Sequence, residues 1–202
     1  MPRSIRAAAR PSARAHLLVL GASLLLLAGA ALAAPATKFE PTVQAQNATL
    51  QLNGSGTRVK AIFKVYDMAL YTERKVKTPE ELVALPGAKR IQFTALRELP
   101  GTELGRLFLK GIADNSPKDQ VQKHTLSTTR LIEVFSGRSK MAPGETFAME
   151  FVPGKGTTFF ILGQAQGAPI GDAEFFGMVL KIWVGENPAD RQLKAALLGQ
   201  DD

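Results

Sequence analysis

Cysteine is absent from this 202-residue chain, and histidine occurs only twice, at His16 and His124. Without cysteine there are no disulfides, no thiolate metal ligands, no thiol nucleophile and no lipid-bearing N-terminal Cys. Two isolated histidines exclude a His-rich metal site and leave little room for histidine-based catalysis. HExxH, GxSxG and paired Asp/Glu motifs are also missing. Gly54-Ser55-Gly56 and Gly154-Lys155-Gly156 have neither the third glycine nor the Lys-Ser/Thr ending of a phosphate-cradling loop, so both read as turns. With 45% apolar and 21% charged residues the chain is neither disordered nor collagen-like.

What excess there is lies in positive charge, 25 basic against 18 acidic residues, and it is unevenly placed. Arg3, Arg6, Arg10 and Arg14 precede a continuous apolar or small stretch over 17–32, and Ala31-Leu32-Ala33 follows as a small-x-small cleavage pattern. Basic, apolar and cleavable regions in that order predict a secretory signal over 1–33. The apolar stretch is shorter than the roughly 20 residues a membrane-spanning helix needs, so no stable span is expected after cleavage. Removing the leader takes those four arginines and His16, leaving 21 basic against 18 acidic groups, a net of +3. The overall basicity is mostly the leader's, and a nucleic-acid partner is not expected. An exported chain without cysteine fits a bacterial periplasm. The remaining 169 residues suffice for one core.

The rest divides into a loose lead-in over 34–41, a single domain over 42–199 and a tail over 200–202. Leu50 and Leu52 alternate with polar residues, and a turn at Gly54–Gly56 leads into an alternating stretch from Arg58 to Tyr71. Val59, Ala61, Phe63 and Val65 are expected on its core face, with Arg58, Lys60, Ile62, Lys64 and Tyr66 on the other. Thr78-Pro79-Glu80-Glu81 is a capping box that opens a short helix. Strands follow at 90–97, 146–152 and 157–162, with a short one near 164–166. Helices are expected from a Thr102 cap, from Ser116-Pro117 through to Gly137, from an Asp172 cap to Gly185 and from Asn187-Pro188 to Gly199. Strands and helices come in groups, which indicates an α+β fold with an antiparallel sheet and helices on one face. Trp183 continues the Phe176–Val179–Leu180 stripe and is expected to be buried.

Few residues suggest chemistry. His124 lies on the apolar side of its helix and reads as a structural imidazole. Phe159, Phe160, Phe175 and Phe176 read as core. Arg58 and Tyr66 share side-chain parity, and an arginine fork with a tyrosine hydroxyl at the rim of an apolar cavity would orient an amphipathic ligand with an anionic head. The bland alternative is a solvated strand face. Neither a metal nor a cofactor is expected.

The chain resembles the chalcone isomerase-like superfamily, in particular its exported bacterial branch. The resemblance rests on Leu52-Asn53-Gly54-Ser55-Gly56-Thr57-Arg58, Phe63 to Tyr71, Pro153-Gly154-Lys155-Gly156-Thr157, Phe175-Phe176, Ile182 to Pro188 and Leu193 to Gly199, and covers roughly 40–199. It implies an open-faced β-sandwich, a large antiparallel sheet covered by a helical layer with a ligand cleft between. In plant chalcone isomerases an arginine at the position matched by Arg58 holds the substrate's anionic oxygen. Tyr66 stands in the segment that supplies a threonine there, and Leu104 and Gly111 fall where a catalytic Tyr and Asn are expected on the helix matching 102–115. Non-catalytic members hold a fatty-acid carboxylate with the matching arginine and a nearby tyrosine. Three functions compete: binding of a small amphipathic anion such as a fatty acid; an intramolecular lyase or isomerase acting on a phenolic or enone substrate through Arg58 and Tyr66; and a structural or partner-binding protein whose cleft is filled by its own side chains.

Overall fold

The computed structural model describes residues 37–200. The expected signal sequence and the last two residues of the tail lie outside that range. Strands β1 (Thr42–Ala45), β2 (Ala48–Lys60) and β3 (Phe63–Thr72) form a meander. Then come α1 (Pro79–Ala84), β4 (Lys89–Ala95), β5 (Leu99–Pro100) and α2 (Gly101–Asn115). Next are α3 (Lys118–Lys123), α4 (Thr125–Ser136), β6 (Lys140–Met141) and β7 (Thr146–Val152). The chain closes with β8 (Gly156–Ile161), β9 (Gln164–Ala165), α5 (Ala173–Val184) and α6 (Arg191–Leu197).

Seven strands pair antiparallel in the order β1-β2-β3-β4-β7-β8-β9, and β5 and β6 form a separate small ribbon. This is the α+β architecture expected from the grouping of elements. Alternate residues of the central strands, among them Met68, Leu70, Ile91, Phe93, Phe147 and Met149, join the helices in one core. Helix α5 is buried along almost its whole length, and Trp183 is buried as expected. The opposite face carries a small apolar cluster around Leu50, Ala69 and Tyr71. The lead-in is tied down onto the sheet from Thr37 onward. The Thr37 amide donates to Asp67, the Tyr71 hydroxyl donates to the Glu40 carbonyl, and the Leu52 amide donates to the Pro41 carbonyl.

The first meander departs from the sequence reading. Gly54–Gly56 is not a turn but part of β2, and the chain reverses at Ala61-Ile62, where Ala61 takes a positive φ of 55°. The core face expected from Val59, Ala61 and Phe63 therefore does not form, and these residues are exposed; only Val65 is buried. The glycines serve close approach instead. A Cβ on Gly54 would stand 2.0 Å from the Ala196 carbonyl oxygen, and one on Gly56 2.7 Å from the Ala196 Cβ, so α6 lies directly on the β2 backbone. Asn53 is the extra residue of a bulge between Leu52 and Gly54. Its buried amide donates to the carbonyls of Val76 and Leu197 at 3.0 and 2.7 Å and accepts from the Val76 amide at 2.8 Å.

Helix boundaries follow local chemistry. Thr78 caps α1 by accepting from the Glu81 amide, and Glu81 reaches back to the Lys77 amide. Asp172 caps α5 through the Phe175 amide. Helix α2 starts one residue before the expected Thr102 cap, because Gly101 fits against the carbonyls of Phe135 and Arg138 where a side chain could not. The single helix expected after Pro117 is broken at His124 into α3 and α4. The last helix starts beyond Asn187-Pro188, capped by Asp190.

Candidate functional site

The hairpin at Ala61-Ile62 sets the site. It folds β3 back along β2 so that Arg58 and Tyr66 become direct cross-strand partners. On one continuous strand they would stand about 26 Å apart; here the Arg58 guanidinium lies over the Tyr66 ring, 5.6 Å from its centroid. The expected pairing therefore forms across a hairpin, not along a strand.

Both residues line a cavity of about 250 Å³ between the sheet and helices α2 and α5. Its wall is largely apolar, with Phe93 and Phe147 from the sheet, Leu104 and Phe108 from α2, and Ile182 and Trp183 from α5; Asn187 and the Lys110–Asp114 ion pair also line it. The rings lock one another. Tyr66 meets Phe93 edge-on at 5.3 Å, Phe93 stacks on Phe147 at 4.2 Å, and Trp183 packs against Phe93 at 5.1 Å. Leu104 and Gly111 both reach this wall, so neither polar group of the plant enzymes' matching helix is present there. Gly111 lets α2 approach α5, since a Cβ would stand 2.7 Å from an Ile182 methyl.

The polar end is sparse and specific. Trp183 Nε1 donates to the buried Tyr66 hydroxyl at 2.8 Å. That bond uses the oxygen as acceptor and leaves the hydroxyl proton available to a ligand. Burial raises the Tyr66 pKa above the usual tyrosine value, against the opposing pull of the Arg58 charge and of the Trp183 hydrogen bond, so the hydroxyl stays a donor. Arg58 is half-buried, its Nε is enclosed without a hydrogen-bond partner, and it joins none of the ion pairs among the described residues. A buried donor left unmatched costs about 1–3 kcal/mol. Asp190 lies close enough to influence Tyr66, yet its oxygens are occupied by the amides of Val59, Gln192 and Leu193.

Residues able to ligate a cation lie elsewhere. His124, Asp172 and Glu174 bring ligand atoms within 4.8 Å of one another. His124 Nε2 is 2.8 Å from Glu174 Oε2, Lys123 pairs with the same carboxylate, and Asp172 already caps α5. The cluster is satisfied as an ion-pair network joining α3 and α4 to α5. The structural role expected for His124 thus has named partners, which no spacing in the sequence revealed. Phe159, Phe175 and Phe176 are core as expected, while Phe160 lies half-buried under the Arg90 guanidinium at 5.1 Å. Among the described residues no helix is long and apolar enough to cross a membrane.

The family model described as chalcone isomerase-like matches residues 31–199. The chain belongs to the chalcone isomerase-like family. Among solved structures it is similar to the crystal structure of an Arabidopsis thaliana fatty-acid binding protein, with a TM-score of 0.62 at 14% identity. The match covers 79% of this chain and 90% of that one, and at this identity it establishes the common fold. No curated protein matches the sequence. The chalcone isomerase-like sheet, with its helical cover and the cavity between them, is the architecture that the resemblance implied.

Proposed function

We propose that this chalcone isomerase-like protein binds a small amphipathic carboxylate, such as a fatty acid, in the cavity headed by Arg58 and Tyr66. The observation that carries this reading is the half-buried Arg58, in no ion pair among the described residues, lining a largely apolar pocket together with Tyr66. A carboxylate would accept from the Arg58 fork and from the free Tyr66 proton, while its chain lies on Phe93, Phe108 and Ile182. The fatty-acid binding activity named for the Arabidopsis neighbour of the same fold supports it. So does the apolar character of the Leu104 and Gly111 positions, with the charged groups of α2 that line the cavity, Lys110 and Asp114, paired with each other. A cavity of about 250 Å³ is of the size of a small acyl chain, so a medium-chain acid is the first candidate.

Organic extraction and native mass spectrometry of the purified protein, followed by calorimetric titration with octanoate, tests the reading. One-to-one binding of octanoate, tighter than that of palmitate, is the expected result. Absence of binding to any carboxylate would refute it, and turnover of a phenolic enone would replace it with the isomerase reading. Export is part of the proposal: the Arg-rich leader and Ala31-Leu32-Ala33 support cleavage before Ala34. N-terminal sequencing of the periplasmic fraction tests this, and full-length protein confined to the cytosol would refute it.

A further inference from the structure

The β2–β3 hairpin ends in side chains that a folded domain ordinarily hides. Ile62 is 85% exposed and Phe63 56%, and Val59 beside them is also exposed. Around them stand cations. Lys60 is the cross-strand partner of Phe63, Lys64 that of Val59, and the Arg97 guanidinium lies 5.2 Å from the Phe63 ring centroid. All three basic residues are exposed. Of the nearby acids, Glu98 is paired with Lys140 at 2.6 Å and Glu103 with Arg106 at 2.7 Å, while Asp190 accepts from the amides of Val59, Gln192 and Leu193. The tip therefore combines an apolar point with a collar of three cations that join no ion pair among the described residues.

We infer that this hairpin tip docks on an anionic bilayer surface. The shape selects the occupant. A stable protein partner needs about 800 Å² of surface per side, more than a two-residue turn with three apolar side chains offers. A bilayer accepts a narrow point, because acyl chains receive Ile62 and Phe63 while anionic headgroups receive Lys60, Lys64 and Arg97. Arg58 lies only four residues from Ile62 on the same hairpin, about 13 Å along the strand, so docking brings the cavity-lining segment to the lipid surface. This inference stands apart from the ligand reading and, where that reading holds, gives the carboxylate a short route between membrane and cavity.

The lack of cysteine makes the test direct, since a single introduced thiol is the only labelling site. Purified protein carrying Ile62→Cys with an environment-sensitive fluorophore is mixed with vesicles of phosphatidylcholine containing about one-third phosphatidylglycerol. A second sample carries the label at Leu126→Cys, on exposed α4. Emission at position 62 should shift to the blue while that at 126 stays unchanged, and the shift should fade with added salt or in pure phosphatidylcholine. Replacing Lys60, Lys64 and Arg97 by Gln should weaken partitioning by about fivefold for each charge removed, and Phe63→Ser should weaken it at least tenfold. Octanoate affinity should be unaffected by these changes, whereas Arg58→Ala should alter it without moving the tip signal. The inference is overturned if position 62 never responds to vesicles. It is equally overturned if the label is already blue-shifted in their absence, as cover by the N-terminal residues would cause, or if it shifts with protein concentration alone, as a second copy would cause.

Discussion

Replacing Arg58 by alanine separates a ligand anchor from a structural strut. In the free protein Arg58 makes no ion pair among the described residues, and its recorded partner is the Tyr66 ring at 5.6 Å. Such a cation–π contact is worth about 0.5–1 kcal/mol, and the substitution also removes an unmatched donor. Stability should therefore change by no more than about 1 kcal/mol. Binding should change far more. A carboxylate held by charge-assisted hydrogen bonds loses about 1.5–3 kcal/mol when the donor goes, which is roughly a tenfold to hundredfold weaker Kd. Arg58→Lys keeps the charge but not the fork and should fall between the two. Tyr66→Phe should reverse the pattern. It costs the ligand only about 0.5–1.5 kcal/mol, but it leaves the buried Trp183 Nε1 without its acceptor, which costs about 1–3 kcal/mol of stability. Octanoate calorimetry and urea denaturation of the variants read both quantities. An unchanged Kd in Arg58→Ala would refute the site, and a stability loss well beyond 1 kcal/mol would make the arginine a strut.

Three further outcomes follow from the packing and the charges. Tyr66 and Tyr71 both have pKa values raised above 10.0 by burial; the unfolded chain ionises first, so stability holds below about pH 10 and declines as pH rises through the folded-state values. Urea midpoints across that range should show the decline, with a shallower slope in Tyr66→Phe; an identical slope would remove Tyr66 as a cause. Gly54→Ala drives a Cβ to 2.0 Å from the Ala196 carbonyl and should destabilise by about 3 kcal/mol or undock α6, which urea denaturation and amide exchange over 191–197 would detect. Trp183→Ala should cost about 3–5 kcal/mol, and the wild-type emission should be blue-shifted and poorly quenched by acrylamide; full quenching would contradict its burial.

The sequence carried the element types well, because period-two and helical patterns are local. The caps at Thr78 and Asp172 could be read directly, since each side chain accepts from an amide only three residues on. The β2–β3 hairpin was not legible. Its reversal uses Ala61-Ile62, which carries no Gly, Asn or Pro, while the nearby glycines advertise a turn they do not make. Those glycines answer to α6, more than 130 residues further on, and no local pattern encodes such a contact. For the same reason the Arg58–Tyr66 pairing was reached through equal parity along a strand, although a cross-strand register produces it. The Trp183 bond to Tyr66 and the carboxylates facing His124 also join distant elements. Arginine and tyrosine were visible as types of residue; what makes them a site is the tryptophan and the apolar wall that the fold brings to them.

Asn53 ties the start of the domain to its end. Its side chain bonds the Leu197 carbonyl, 144 residues away, and the strand that carries Arg58 takes its bulge from that same asparagine. During synthesis β2 is complete long before α6 exists, so its seat stays open until α6 has been made. A chain truncated before Leu197 would keep the Arg58–Tyr66 pairing, which the local hairpin sets, but would leave the Asn53 amide without one of its two carbonyl acceptors. Without α6 the backbone of the second strand at Gly54 and Gly56 would also lose its cover, so the packing of this strand depends on contacts more than 130 residues away.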